Sequence, residues 1–307
     1  MKVIHATSEL PAARRKACLA IGVFDGVHLG HQQIIRQTVA DALQHDAAAI
    51  VVTFDKHPGT VVAPDKVPPA IYSRAQKLRA IEALGADVLL EIPFDKSFSQ
   101  FTGEQFIRDL AASLGGLQSV CVGADFVFGH KRSGNVALLK QLGGELHFTV
   151  HGMAELSLDG AVVSSTRIRE AIRAGNFDAA GQLLGRSYSI AGPVIQGDQL
   201  GRTLGFPTAN LDTAGLLLPP NGVYATLATV AGKSHRAVSN IGVRPTVNQP
   251  TPAPRLEVHL LDFSGDLYGQ ELEATFVAKL RDEKKFSSLE ELKTQIAQDI
   301  LEARRKF

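Results

Sequence analysis

Residues 16–54 switch between two apolar rhythms, and that switch limits the possible folds more than any other stretch. KACLAIGVF is a continuous apolar run, as in a strand covered on both faces. DGVHLG is a turn. HQQIIRQTVADALQHD sets Ile34, Ile35, Val39, Ala42 and Leu43 at helical spacing. AAAIVVTF is a second apolar strand. Strand, helix and strand at these lengths make a βαβ unit, which requires a parallel sheet and a right-handed crossover.

The alternation continues. SRAQKLRAIEALG reads as a helix closed by glycine, ADVLLEIPF as a strand, and TGEQFIRDLAASLG as a helix opened by a T-x-x-Q capping box. LQSVCVGADF is a strand, SGNVALLKQLGG a helix and ELHFTVHGM another strand. Residues 1 to about 155 are therefore expected to form a doubly wound parallel α/β sheet. TRIREAIRAGNFDAAGQLLG reads as two short helices broken near Gly175. After Gly185 the rhythm changes to short period-two runs between glycine and proline turns. YATLATVAG, HRAVSNIGV, LEVHLLDF and ELEATFVAKL are examples, and together they suggest an antiparallel β-barrel. NQPTPAP is a proline-rich loop. The chain closes with an amphipathic helix in SSLEELKTQIAQDILEARRK, with Ser287 and Glu290 as its expected start. Two domains follow, 1–184 and 185–307.

Charge narrows the function. Lys and Arg number 32 against 31 Asp and Glu, with no basic stripe, so a small molecule is expected as partner rather than nucleic acid. The two cysteines, Cys18 and Cys121, lie far apart in apolar runs and read as buried thiols of a reducing compartment. No secretory h-region opens the chain, and no apolar run is long enough to span a bilayer. A cytoplasmic protein with no membrane partner is expected.

In open α/β sheets, ligands sit at the carboxyl ends of the strands. GVFDGVHLGH occupies such a place. Gly26 and Gly30 permit a tight turn and close backbone approach, and the helix start beyond them suits an anion. His28 and His31 stand at its mouth, where imidazoles can donate to phosphate oxygens. The string is neither a Walker loop nor GxGxxG. Taken alone, the histidine pair is also compatible with zinc ligation or a structural role.

The longer string GVFDGVHLGHQ, with TFDKHP (53–58), VGADFVFG (122–129) and SSTRIREAI (164–172), resembles the prokaryotic bifunctional riboflavin kinase/FAD synthetase family. That family lies within the HxGH nucleotidyltransferase superfamily. The resemblance implies adenylylation of FMN by ATP with release of pyrophosphate. It assigns His28 and His31 to the ATP phosphates, Asp125 to the site, and Ser165, Thr166 and Arg169 to phosphate binding. Hydroxyls and an arginine at a helix start suit an anion; without the other motifs, SSTRIR reads as a helix cap. Phe54, Phe126 and Phe128 can face a flavin ring or pack the core. Lys56 stands where the family often has proline, Val162 where some members carry a basic residue, and Asn135 where an acid is common.

GDQLGRTLGFPTANL (197–211) crowds glycine, proline and polar residues between strands. Glycines, Gly205 among them, let backbone amides wrap phosphates. Thr208 and Asn210, two apart, can offer oxygen ligands to Mg²⁺. The stretch resembles the riboflavin kinase signature, and NGVYA, NIGVRPT, LEVHLLDF and LRDEKKFSSLEEL continue it. The resemblance implies phosphorylation of the riboflavin 5′-hydroxyl using ATP with Mg²⁺. Thr208 and Asn210 would hold the metal–nucleotide, and Glu257 would be the general base. On its strand, Glu257 shares a face with His259 and Leu261, opposite Leu256, Val258 and Leu260. Gln199 and Leu200 replace more basic residues of GDKRGR-like versions. A different nucleotidyltransferase with an accessory barrel is disfavoured by LGFPTAN and NIGVRPT. A non-catalytic flavin sensor is disfavoured by His28, His31, Asn210 and Glu257. The expected ligands are ATP with Mg²⁺, riboflavin, FMN and FAD.

Overall fold

A computed structural model describes residues 1–10, 16–197, 199–242 and 254–307. Asp198 of GDQLGR, residues 243–246 of NIGVRPT and residues 248–253 of the proline-rich loop lie outside the described residues. By packing, the chain forms two compact units. One comprises residues 1–68 and 77–164, the other residues 69–76 and 165–307.

The first unit runs β1 (Lys2–Ile4), β2 (Lys16–Ile21), α1 (Leu29–His45), β3 (Ala48–Phe54), α2 (Gly59–Val62), most of α3 (Arg74–Glu82), β4 (Val88–Ile92), α4 (Gly103–Ser113), β5 (Gly116–Gly123), β6 (Val127–Phe128), β7 (Gly134–Asn135), α5 (Val136–Leu146), β8 (Thr149–Met153), β9 (Ser157–Leu158) and β10 (Ala161–Val162). Its main sheet has six parallel strands in the order β1-β4-β3-β2-β5-β8. The continuous apolar runs are explained by cover on both faces. Leu19, Ile21, Ile50, Val52, Val120 and Val122 pack with Phe106 and Ile107 of α4 and Leu139 and Leu142 of α5. Their neighbours Ala20, Val51 and Cys121 pack the other way, with Ile34 and Ile35 of α1 and Ile81 of α3. Each such aliphatic side chain contributes about 1.5–3 kcal/mol by burial. The strand order reverses between β2 and β5, so this is the switch point where a cleft opens.

Three local details differ from the sequence reading. Lys2–Ile4 is a short edge strand that its three residues are too few to announce. The strand in ELHFTVHGM begins only at Thr149, because Glu145 and Leu146 finish α5 and His147 caps it in the left-handed region. The C-terminal helix is opened by Ser288 rather than Ser287. Both serines are followed three residues later by glutamate; Ser288 Oγ accepts from Glu291 N at 3.2 Å, and Glu291 reaches back to Ser287 N at 3.0 Å. The T-x-x-Q box stands, with Thr102 and Gln105 capping each other.

The second unit holds α6 (Ser165–Arg173), α7 (Phe177–Leu184), β11 (Ser189–Ile195), α8 (Leu200–Thr203), β12 (Ala209–Leu211), β13 (Gly222–Val230), β14 (Lys233–Gly242), β15 (Arg255–Leu260), β16 (Glu271–Arg281) and α9 (Leu289–Arg304). Six strands close an antiparallel barrel in the order β11-β12-β15-β14-β13-β16. Tyr188, Tyr224 and Phe276 form its aromatic core, and Phe177 of α7 stacks against Tyr188 and Phe276 at 6.2 and 5.0 Å. The outer face of β13, β14 and the β15 end is apolar too. Val223, Ala225, Val238 and Leu261 pack against Ala303 of α9. This period-two division fixes which side chains line the space under the helix.

Candidate functional site

The first unit carries a cleft of about 410 Å³ at the switch point. It is lined by the end of β2 with Phe24, His28, Gly30 and His31, by Gly123, Asp125, Phe126 and Val127 at and after the end of β5, by Met153–Leu156 after β8, and by Val162–Ser164. The turn beneath it is strained. Phe24, Gly26 and Val27 have φ of 53°, 76° and 41°. A β-branched residue at positive φ is costly, and burial of Phe24 and Val27 at 0% exposure holds it there. Strain of this kind concentrates at functional sites.

His28 is the N-cap of α1, its Nδ1 accepting from His31 N at 3.4 Å. In the neutral ring the proton therefore sits on Nε2, which makes that edge a donor. The two imidazoles stack, 3.6 Å between centroids, and Phe24 meets His31 edge-on at 5.2 Å. Gly30 lies close under the His28 ring, since a Cβ there would lie 3.3 Å from His28 Cε1. Gly26 shapes the turn from below. Among the described residues, His31 Nδ1 is buried without a hydrogen-bond partner. Burial, and next the charge of His28, push His31 well below the ordinary histidine value of 6.5.

That shift has a consequence for stability. The unfolded chain takes up a proton near pH 6.5 that the folded chain refuses. The stabilisation is thus full above pH 6.5 and is lost as pH falls toward the folded value. Urea unfolding between pH 7.5 and 5 should show this loss, and His31→Asn should flatten it. An unchanged slope in that variant would refute the assignment.

Asp125 lines the same cleft on an exposed turn. Of the wall formed by Leu156, Val162 and Val163, only Val162 was noted in the sequence, as a departure from the family's basic residue. The wall belongs to the β9–β10 hairpin, whose two-residue turn is Asp159–Gly160, both at positive φ. The Asp-Gly pair was its available signal. Ser164 lines the cleft, whereas Ser165, Thr166 and Arg169 open α6 and pack with the second unit. Arg169 is buried, and its Nε donates to Pro69 O at 2.9 Å. Phe126 and Phe128 stack at 5.1 Å, and a chain of ring contacts runs through Phe106 and Phe98 to Phe54. Phe126 faces the cleft, while Phe54 is placed in the aromatic packing. Cys18 and Cys121 are buried, and burial raises the Cys121 thiol to about 12, which removes it as a nucleophile.

The second unit has two cavities that share Thr208. One, about 240 Å³, lies between the barrel's outer face and α9. Gly201, Phe206, Thr208, Asn240, Glu257 and His259 line one side, and Arg281, Phe286, Leu292, Ile296 and Asp299 the other. The second, about 350 Å³, is lined by Arg202, Pro207, Thr208, Asp266 and Tyr268 among others. Glu257 points outward, as its strand parity requires, because Leu256 and Val258 are fully buried inside. Asn210 stands in register opposite Glu257. His259 Nδ1 donates to Pro207 O at 2.7 Å and so pins the segment that carries Thr208. Gly205 sits beside it at φ +89°.

Thr208 and Asn210 fit a magnesium ion. Two positions apart, they offer hard oxygen donors of the type that ion prefers; Thr208 lines both cavities, whereas Asn210, on β12, lines a separate pocket with Leu211 and Asp212. The loop lies close over Asn210, since a Cβ at Gly197 would come within 2.3 Å of its Nδ2.

Arg281 and Asp299 were not singled out by sequence. Arg281 Nε and Nη2 donate to Asp299 Oδ1 and Oδ2 at 2.8 and 2.7 Å, and Gln295 Nε2 donates to Oδ1 at 2.9 Å. Asp299 is 3% exposed. The pair fastens α9 to the end of β16 and so holds the cavity's roof. Asp299→Ala strands a guanidinium in a partly buried site and is expected to cost about 3 kcal/mol of barrel stability. Thermal unfolding reads this directly, and a loss under 1 kcal/mol would show that the pair is not the fastening.

A family model described as FAD synthetase matches residues 10–167, and one described as riboflavin kinase matches residues 184–307. The bifunctional riboflavin kinase/FMN adenylyltransferase of Escherichia coli (strain K12) is 38% identical over 309 residues, covering 100% of this chain and 98% of that protein. The protein of the same description from Pseudomonas fluorescens is 39% identical over 304 residues, covering 99% and 97%. A solved structure described as a macrolide-efflux protein from Streptococcus pneumoniae matches with a TM-score of 0.82 at 28% identity, covering 98% of each chain. Among the described residues, no helix is long and apolar enough to cross a membrane.

Proposed function

The chain belongs to the bifunctional riboflavin kinase/FMN adenylyltransferase family, and on that footing we propose which of its residues carry each reaction. The protein phosphorylates riboflavin to FMN with ATP, then adenylylates FMN with a second ATP to give FAD and pyrophosphate. The functional division is 1–184 for adenylylation and 185–307 for phosphorylation.

The kinase assignment rests on one observation: Glu257 and Thr208 line one cavity, and Thr208 also lines the next. A general base must meet the hydroxyl it deprotonates. Riboflavin therefore takes the cavity under α9, with its ring among Phe206, Phe286, Leu292 and Ile296, and ATP takes the neighbouring one. Glu257 accepts the proton of the 5′-hydroxyl as its oxygen attacks the γ-phosphorus, and ADP leaves. Thr208 and Asn210 are the residues that would hold Mg²⁺, which neutralises phosphate charge.

In the adenylylation cleft an FMN phosphate oxygen attacks the α-phosphorus of ATP, and the bond to the β-phosphate breaks. No covalent enzyme intermediate is required, so catalysis is placement plus charge stabilisation. His28 Nε2–H donates toward the phosphates, and His31 is kept neutral by burial. The α1 N-terminus and Asp125 complete the proposed phosphate set. We place the work in the cytoplasm, where unpaired thiols such as Cys18 and Cys121 persist.

Chromatography of flavins after incubation with riboflavin, ATP and Mg²⁺ tests the whole reading. FMN should appear first and FAD after it. A folded protein that converts neither flavin would overturn it.

A further inference from the structure

The barrel wall carries a polar row whose order has a chemical meaning, and two of its members, Glu257 and Asn240, line the cavity under α9. Strands β12, β15, β14 and β13 are successive neighbours. Asn210 stands opposite Glu257, Glu257 opposite Asn240, and Asn240 opposite Val223. Residues in register share a face. That face is the outer one, because Leu256, Val258, Ser239 and Ile241 beside them are all buried inside the barrel. Neighbouring strands lie about 4.8 Å apart, so the three polar residues span about 10 Å.

From one end to the other the row reads carboxamide, carboxylate, carboxamide, aliphatic. Resting on the kinase assignment above, the first position belongs to the phosphate side and the second to the reacting hydroxyl. The acceptor must then extend away from the phosphates, past Asn240, toward Val223 and the apolar roof of Phe286, Leu292 and Ile296. An acceptor that fits is a polyol chain ending in an apolar ring, with its next hydroxyl beside Asn240. A hydroxyl both donates and accepts, and a carboxamide offers both partners, which a carboxylate or an ammonium does not. We propose that Asn240 binds the ribityl hydroxyl vicinal to the one phosphorylated, and is a specificity-determining residue of the kinase site.

The test uses the full chain with riboflavin and with 4′-deoxyriboflavin, which lacks that hydroxyl. The wild-type protein should phosphorylate the deoxy compound with kcat/KM lower by about tenfold, the loss of one buried neutral hydrogen bond. Asn240→Ala should lose about the same with riboflavin, leave the KM for ATP and the barrel's melting temperature unchanged, and lose nothing further with the deoxy compound. Equal losses on both substrates would reduce Asn240 to a structural role and overturn the proposal. So would a wild-type protein indifferent to the missing hydroxyl, a measurement that needs no variant. Glu257→Gln separates the two levels. If it still phosphorylates riboflavin at the wild-type rate, the kinase assignment fails. If it is silent while Asn240→Ala behaves as wild type, only the present inference fails.

Discussion

Glu257→Gln is expected to lower riboflavin phosphorylation by roughly 10²–10⁴-fold and to leave adenylylation of supplied FMN at the wild-type rate. Glutamine keeps the size and one acceptor oxygen but cannot take a proton at neutral pH. The side chain lies outside the barrel core and lines the cavity between the strand and α9. A direct assay of FMN formation decides the matter. If FAD formation from FMN falls in parallel with kinase activity in a folded variant, the division of labour between the two halves is wrong.

The second large effect is at His28. His28→Ala removes both an imidazole and a helix cap, and a cap alone is worth about 1 kcal/mol. His28→Asn is the sharper variant, because asparagine is itself a good N-cap and restores the acceptor for His31 N. FAD formation by His28→Asn should drop roughly 10²–10³-fold, as for removal of one preorganised donor to a charged transition state. Riboflavin phosphorylation should continue, so FMN accumulates. Near-normal FAD synthesis by His28→Asn would mean that the histidine serves only as a cap.

Much of the architecture was readable from local pattern. The apolar runs at KACLAI and AAIVVTF predicted strands buried on both faces, and α1, α4, α5 and α7 followed their spacing and caps. His28, His31, Gly30 and Asp125 were found along one stretch or one motif each, and they meet in one cleft. Where two local solutions were equally good, as with Ser287 and Ser288 before α9, pattern could not choose between them, and the packed helix did.

The sequence by itself determined the order of strands and helices, the face each strand residue takes, and the imidazole pair at a glycine turn, because these depend on neighbours two to four positions away. Tertiary structure alone decided that Glu257 lies on the outside of the barrel beneath α9 rather than within it. It also decided that Arg281 fastens that roof to Asp299, and that Asn240 continues the row begun by Asn210 and Glu257. Those relations join strands and a helix far apart in the chain. They are set by barrel closure and inter-strand register, which no short stretch of residues encodes.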